Sequence, residues 1–373
     1  MPKMIAKDFY RHLKLTPIFL SSIAMVSAMV WAVEEAQDRS KVTPGVYQSN
    51  ISYDGDDRVR LVPDNLFAID FVDSRFGWAA GYYGTILKTV DGGETWTHIS
   101  LPNTDLIRRI QFLDKDRGWL VTHRGRIMSS KNGGSTWENR YIDDNQINLR
   151  NIKFFDADVG WAVGHEGTIL RTSDGGETWI KQSLSNFGGR DLPRLNGLVV
   201  LSQSWAMLAG EFGVIAETID AGNTWTIISA PDFNATFTEI ELVGDSIFAV
   251  GLDGVIAHVH SVGIDRFTLP DDAGGEGKEP AYVQLLDSGV DQHLFDITAN
   301  QDGEGIVVGL ANILVIRNGK PLIPVEIHRP DRNYLYFMGA ALVSNTKYVL
   351  VGTGGMAVTF DTETAGMNGV LKW

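Results

Sequence analysis

Eight of the ten tryptophans in this chain fall into pairs, and the pairing limits what the chain can fold into. Trp78 and Trp96, Trp119 and Trp137, and Trp161 and Trp179 each lie 18 residues apart; Trp205 and Trp225 lie 20 apart. Each pair brackets the same kind of string. Residues 76–96 read FGWAAGYYGTILKTVDGGETW and residues 159–179 read VGWAVGHEGTILRTSDGGETW. Between them lies RGWLVTHRGRIMSSKNGGSTW (117–137), and QSWAMLAGEFGVIAETIDAGNTW follows at 203–225. The period of 41–46 residues is that of propeller blades.

Every unit predicts four short strands. In the third unit LRNIKFF (149–155) alternates apolar and polar residues, GWAVG makes a second strand, HEGT a tight hairpin, TILRT a third strand, and TWIKQS begins a fourth after the SDGGET turn. Glycine supplies the positive φ that such turns demand, which accounts for much of the chain's 40 glycines. Weaker copies continue at 245–259, 305–319 and 345–360. The turn anchors Gly81, Thr122, Gly164, Gly210, Gly251, Gly309 and Gly352 count seven units. The expected fold is therefore all-β: a seven-bladed β-propeller of four-stranded antiparallel blades, preceded by an N-terminal export helix. The Gly/Asp/Pro-rich stretch 269–280 reads as an inserted loop. Closing the ring needs an end segment to complete the terminal blade, and 44–62 and 369–373 are the candidates. A closed ring leaves only short, protected sheet edges.

Residues 1–33 stand apart from this domain. Lys3, Lys7, Arg11 and Lys14 precede an uncharged, apolar segment, 17–33. That order fits a secretory signal peptide, with Val30 and Ala32 before a plausible cleavage point, or a short membrane anchor. Either places 34–373 in a periplasm or equivalent extracytoplasmic lumen, secreted or N-terminally anchored. Without residues 1–33 the chain keeps 28 basic and 45 acidic residues, a balance that argues against a general nucleic-acid surface. With no cysteine, disulfides and thiolate chemistry are excluded.

The strings TVDGGETW, SKNGGSTW, TSDGGETW and TIDAGNTW match the Asp-box pattern of propeller proteins. Asp91, Asn132, Asp174 and Asp220 are placed to accept backbone N–H bonds and fix the turn. Gly93, Gly134, Gly176 and Gly222 allow the reversal, and Trp96, Trp137, Trp179 and Trp225 supply large rings to pack between sheets. Recurrence once per blade gives these residues an architectural reading; a catalytic or calcium site would require convergence.

The joining of GWAVGxxGTILxT to SDGGETW resembles the photosystem II stability/assembly factor family, the Ycf48-like proteins, strongly over 66–230 and more weakly to 361. The resemblance implies an exported seven-bladed propeller that assists photosystem II assembly and uses an arginine patch in partner contact. The N-terminal stretch lacks the cysteine that anchors some cyanobacterial members. Partial counterparts of the patch are Arg108 and Arg109, which open the first strand of the second unit, Arg150 in the third and Arg194 in the fourth. They fit a carboxylate-gripping rim or internal pairing with Asp and Glu. Arg124 and Arg126 fall in a hairpin, and Lys88 and Arg171 share a third-strand position suited to local pairing.

The reading is a non-catalytic extracytoplasmic scaffold or assembly factor that holds a membrane-protein client or complex through one propeller face. No cofactor or metal site is expected: His258 and His260 alternate on one strand face but lack further ligands. The alternative is an extracytoplasmic glycosidase or glycan-binding propeller of the Asp-box, sialidase-like type, which would need paired carboxylates across a cleft.

Overall fold

The computed structural model describes residues 46–48, 65–101, 103–185, 187–230, 233–260, 282–317, 320–325 and 335–363. Residues 1–33, the loop 269–280 and the end segment 369–373 lie outside them. Contacts divide the chain into a unit of residues 1–43 and a unit of residues 44–373. The second unit is a seven-bladed propeller.

The innermost strands are Leu66–Phe71, Ile107–Phe112, Leu149–Phe154, Leu195–Val200, Phe237–Val243, Leu294–Ala299 and Phe337–Ser344. Each pairs antiparallel with the next strand outward, and each inner strand packs beside the inner strands of both neighbouring blades. The first and last inner strands are themselves neighbours, so the ring is closed. The seven predicted anchors all end a second strand. Blades two to six have four described strands and blade seven has three. Val46–Gln48, part of the candidate ring-closing segment 44–62, pairs with Thr95–Thr97 on the outer edge of blade one, where it makes a fifth strand.

The burial pattern follows from this layout. The third inner strand reads buried at Leu149, Ile152 and Phe154, which face the neighbouring sheets, while Arg150 and Lys153 look into the channel. Second strands such as GWAVG (Gly160–Gly164) are buried throughout, because a sheet lies over each face. Seven apolar clusters result, one at each blade interface. The cluster that closes the ring joins Leu66, Ile69, Ala79, Leu87 and Trp96 of blade one to Ala341, Val349, Val351 and Ala357 of blade seven. A bond from the Gly354 amide to Asn65 Oδ1, at 2.6 Å, crosses the same seam.

The tryptophans of the second strands reach forward to the next blade. Trp78 stacks on Phe112 with centroids 3.6 Å apart and donates Nε1–H to the Gly133 carbonyl at 3.0 Å. Trp119 repeats this with Phe154 (3.8 Å) and Gly175 (3.1 Å). In the next interface Gln182 intervenes: its Oε1 accepts from Trp161 and Trp225, and its Nε2 donates to the Ala221 carbonyl. Lys88 and Arg171 lie over the Trp78 and Trp161 rings, so local packing on aromatics replaces the local pairing expected of them.

Two glycine roles separate. In the hairpin after Gly164, both Glu166 (φ 54°) and Gly167 (φ 62°) are left-handed, as a type I′ turn requires. Gly164 itself is extended in the sheet and is glycine for a different reason. A Cβ there would sit 2.4 Å from the Asn148 carbonyl oxygen.

Candidate functional site

The Asp boxes connect third strands to outer strands, and in blade three the geometry is complete. Asp174 Oδ1 accepts from Thr172 Oγ1 (2.8 Å) and from the Thr178 amide (2.9 Å), while Oδ2 accepts from Thr178 Oγ1. The Gly176 amide donates to Thr172 Oγ1 at 2.9 Å, and Trp179 Nε1–H donates to the Gly176 carbonyl. These bonds, the Thr178 hydroxyl first, hold the Asp174 carboxyl down at about 2. Asp91 with Gly93 and Trp96 repeats the arrangement. Asn132 and Asp220 hold their turns in the same way at Gly134 and Gly222. Trp225 instead donates to Gln182. Trp137 Nε1 is buried with no acceptor. The oxygens of all four boxes are turned toward their own turns, leaving the motif an architectural clamp.

The arginines lie at the opposite end of the channel, where inner strands begin. Arg108 and Arg150 occupy the same register of adjacent strands. Arg108 lies over the Phe67 ring, 5.6 Å from its centroid, and its Nε has no acceptor. Arg150 Nε donates to Asn196 Oδ1 at 3.1 Å. Arg194, one residue ahead of its strand and exposed, is 3.6 Å from Glu211. Burial, and then repulsion from Arg194, pulls Arg108 down to about 10. Arg150 is pulled well below the usual arginine range by burial and by Arg108, Arg194 and Arg109. Beside them His165 falls to about 4, through burial and the same cations, and is neutral at pH 7. Cations that depress one another, with Glu211 as their neutralising carboxylate, leave this mouth with a surplus of positive charge.

Arg109 does something else. It crosses the channel and pairs with Glu239 of blade five and, at 3.4 Å, Asp296 of blade six. Asn151 donates to both Glu239 oxygens at 3.0 Å. Asp296 Oδ2 accepts the Ala340 amide at 2.9 Å. Arg109 thus leaves the basic rim and becomes the centre of a buried girder. Arg124 and Arg126 are likewise occupied, at 3.6 and 3.0 Å from buried Asp105.

Below the girder, a cavity of about 410 Å³ opens on the Asp-box face. Asp70, Gln111, Lys153, Glu241 and Thr298, all in one register of their strands, line it with Asp296. Lys153 pairs with Glu241 at 3.2 Å. Asp70 accepts the Phe112 amide at 2.6 Å, and burial raises its carboxyl to about 6. These residues escaped the sequence reading, although the strings LFAIDF, FTEIEL and LFDIT show the signal: carboxylates interrupting otherwise apolar inner strands. Because the folded-state value lies above the unfolded one, Asp70 penalises folding above pH 6, and the penalty fades as pH falls toward 4. Asp70→Asn keeps the acceptor for Phe112. It is expected to raise stability by up to about 3 kcal/mol at pH 8 and by almost nothing near pH 4. Paired urea titrations check this; an equal gain at both pH values would refute the assigned cause.

Fold and site together define an Asp-box propeller with one basic mouth and one mixed-charge cavity. Residues 94–228 match the family model described as photosynthesis system II assembly factor YCF48, and over that span the propeller is similar to Ycf48 proteins. No curated protein matched the sequence. Among solved structures, YCF48 bound to a D1 peptide is 16% identical with a TM-score of 0.61, covering 86% of this chain and 96% of that one. YCF48 from Cyanidioschyzon merolae is also 16% identical, with a TM-score of 0.62 and coverage of 85% and 99%. A streptogramin B lyase is 12% identical with a TM-score of 0.64, covering 84% and 96%. At such identities these likenesses concern the fold.

Proposed function

We propose that this protein is a non-catalytic extracytoplasmic assembly scaffold that holds a membrane-protein client through the mouth bearing Arg108, Arg150 and Arg194. The observation that carries the reading is the arginine cluster itself, where mutual repulsion would be relieved by a bound carboxylate. The family match and the D1 peptide held by the similar YCF48 structure support a polypeptide as the ligand. The basic start followed by the apolar segment 17–33 supports export and membrane proximity.

Crosslinking pulldown from native membranes tests this. Changing Arg108, Arg150 and Arg194 to Glu should reduce client recovery at least about tenfold, a loss of about 1.4 kcal/mol. Lys181→Glu, on the exposed outer strand of blade three, should leave it unchanged. Undiminished recovery with the triple variant would sink the proposal. The glycan-acting alternative draws on the cavity, where Asp70 and Glu241 bring an acid of raised pKa and a carboxylate together. Glycoside turnover by purified protein that disappears in Asp70→Asn would move the assignment there.

A further inference from the structure

The cavity below the girder has an unbalanced charge. Two cations serve it, Arg109 and Lys153. Arg109 is committed to Glu239 and Asp296, and Lys153 to Glu241. Asp73, at the rim, spends Oδ1 on the amides of Arg75 and Phe76, both at 2.8 Å. Asp70 accepts backbone amides and, among the described residues, makes no ion pair of its own, feeling Lys153 and Arg109 only at longer range. Four carboxylates, Asp70, Glu239, Glu241 and Asp296, therefore face two cations in the channel interior. The inner strands of blades four and seven bring Val199 and Ala341 to the same register and add no charge.

The space matters as much as the charge. The volume falls in the range of about 300–1000 Å³ usual for small-molecule sites. Leu342 and Val343 of blade seven, both half-buried, line it alongside the polar groups. An unpaired carboxylate in a part-apolar void selects against anions and favours a compact cation with methylene surface. A metal ion is disfavoured, because among the described residues no three His, Cys, Asp or Glu side chains gather to ligate one. We infer that this cavity binds a small aliphatic ammonium compound, with Asp70 as its counter-ion. The site is separate from the arginine mouth and does not depend on the client reading.

Three four-carbon probes differing in charge test the inference: 1,4-diaminobutane, 1,4-butanediol and succinate, titrated calorimetrically into the full chain at near-physiological salt. The diamine should bind at about pH 7.5, and butanediol and succinate should not. Binding should weaken about tenfold near pH 5, where Asp70, with a value of about 6, is mostly protonated. Asp70→Asn should weaken diamine binding at least tenfold at pH 7.5. Lys153→Met, which frees Glu241, should tighten it. Carbon-detected titration of the Asp70 carboxyl should show its midpoint falling when the diamine is present. Silence with all three probes, binding of succinate, or equal diamine affinity in wild type and Asp70→Asn would overturn the inference.

Discussion

Arg109→Leu should lower the unfolding free energy by about 3–5 kcal/mol near pH 7.5, the usual cost of removing one member of a buried ion pair. The reason is the company Arg109 keeps. Glu239 and Asp296 are 1% and 4% exposed, and Arg109 is the cation paired with both. Without it, two carboxylates remain in a channel that cannot hydrate them fully. Burial already pushes Asp296 above the ordinary carboxylate range, and Arg109 is the strongest force opposing that rise. In the variant the folded state should take up a proton on Asp296. Stability should therefore recover as pH falls from 7.5 toward 5, the direction required when folded carboxyls titrate above their unfolded values. Adding Glu239→Gln and Asp296→Asn should restore most of the loss, since both amides keep acceptors for the Ile240 and Ala340 amides. Urea denaturation of the single and triple variants at both pH values measures all of this. A loss under about 1 kcal/mol for Arg109→Leu would mean that the girder carries little of the fold.

The contrast with Arg108 shows where sequence reasoning reached its limit. The two arginines are adjacent, and a strand sends adjacent side chains opposite ways. A register irregularity between Ile107 and Arg109 interrupts that rule, so both reach the channel at different depths. One lies at a mouth beside Phe67; the other meets carboxylates from blades five and six. Those partners lie 130 and 187 residues away in sequence, so local spacing could not show them. The repeat, by contrast, is local. Trp78, Gly93 and Trp96 are bound to their turns and neighbours by rules that act over one blade, and the blade count and strand order could be read from them. The second-strand glycines were legible as markers of the repeat, but not the reason they are glycine: Gly81 and Gly164 answer to a carbonyl oxygen across the inner strand.

The two ends of the channel have opposite electrostatic character, and the girder divides them. At one end arginines outnumber their neutralising carboxylates; at the other, carboxylates outnumber cations. Neither surplus helps the fold, because each raises self-energy in a partly buried place. Residues that cost stability and lie together in a concave site are best explained by what they bind. The arginine surplus suits a client carboxylate, and the Asp70 surplus suits an ammonium group.

Trp78→Ala should cost about 3–5 kcal/mol, as large aromatic truncations in a core do, and the cost should fall on the seam between blades one and two. Trp78 is fully buried. It stacks on Phe112, carries Lys88 over its ring and reaches the Gly133 carbonyl inside the next blade's Asp box. Truncation would leave Phe112 without its stacking partner and the Gly133 carbonyl without the indole donor. Trp78→Phe separates these contributions. It keeps an apolar ring against Phe112 and drops the indole N–H, so about 1–2 kcal/mol should be lost. Trp119, with the same contacts to Phe154 and Gly175, should follow the same order. Trp161 should differ, because its indole reaches the next box through Gln182, a side chain able to turn toward Trp225 alone. Hydrogen exchange can then place the damage. In Trp78→Ala, amides of the Gly77–Gly81 and Ile107–Phe112 strands should lose protection before those of blades four and five. Uniform loss around the ring would instead mean that the propeller opens as one unit, and the forward-reaching tryptophans would then stabilise the whole ring and no particular seam.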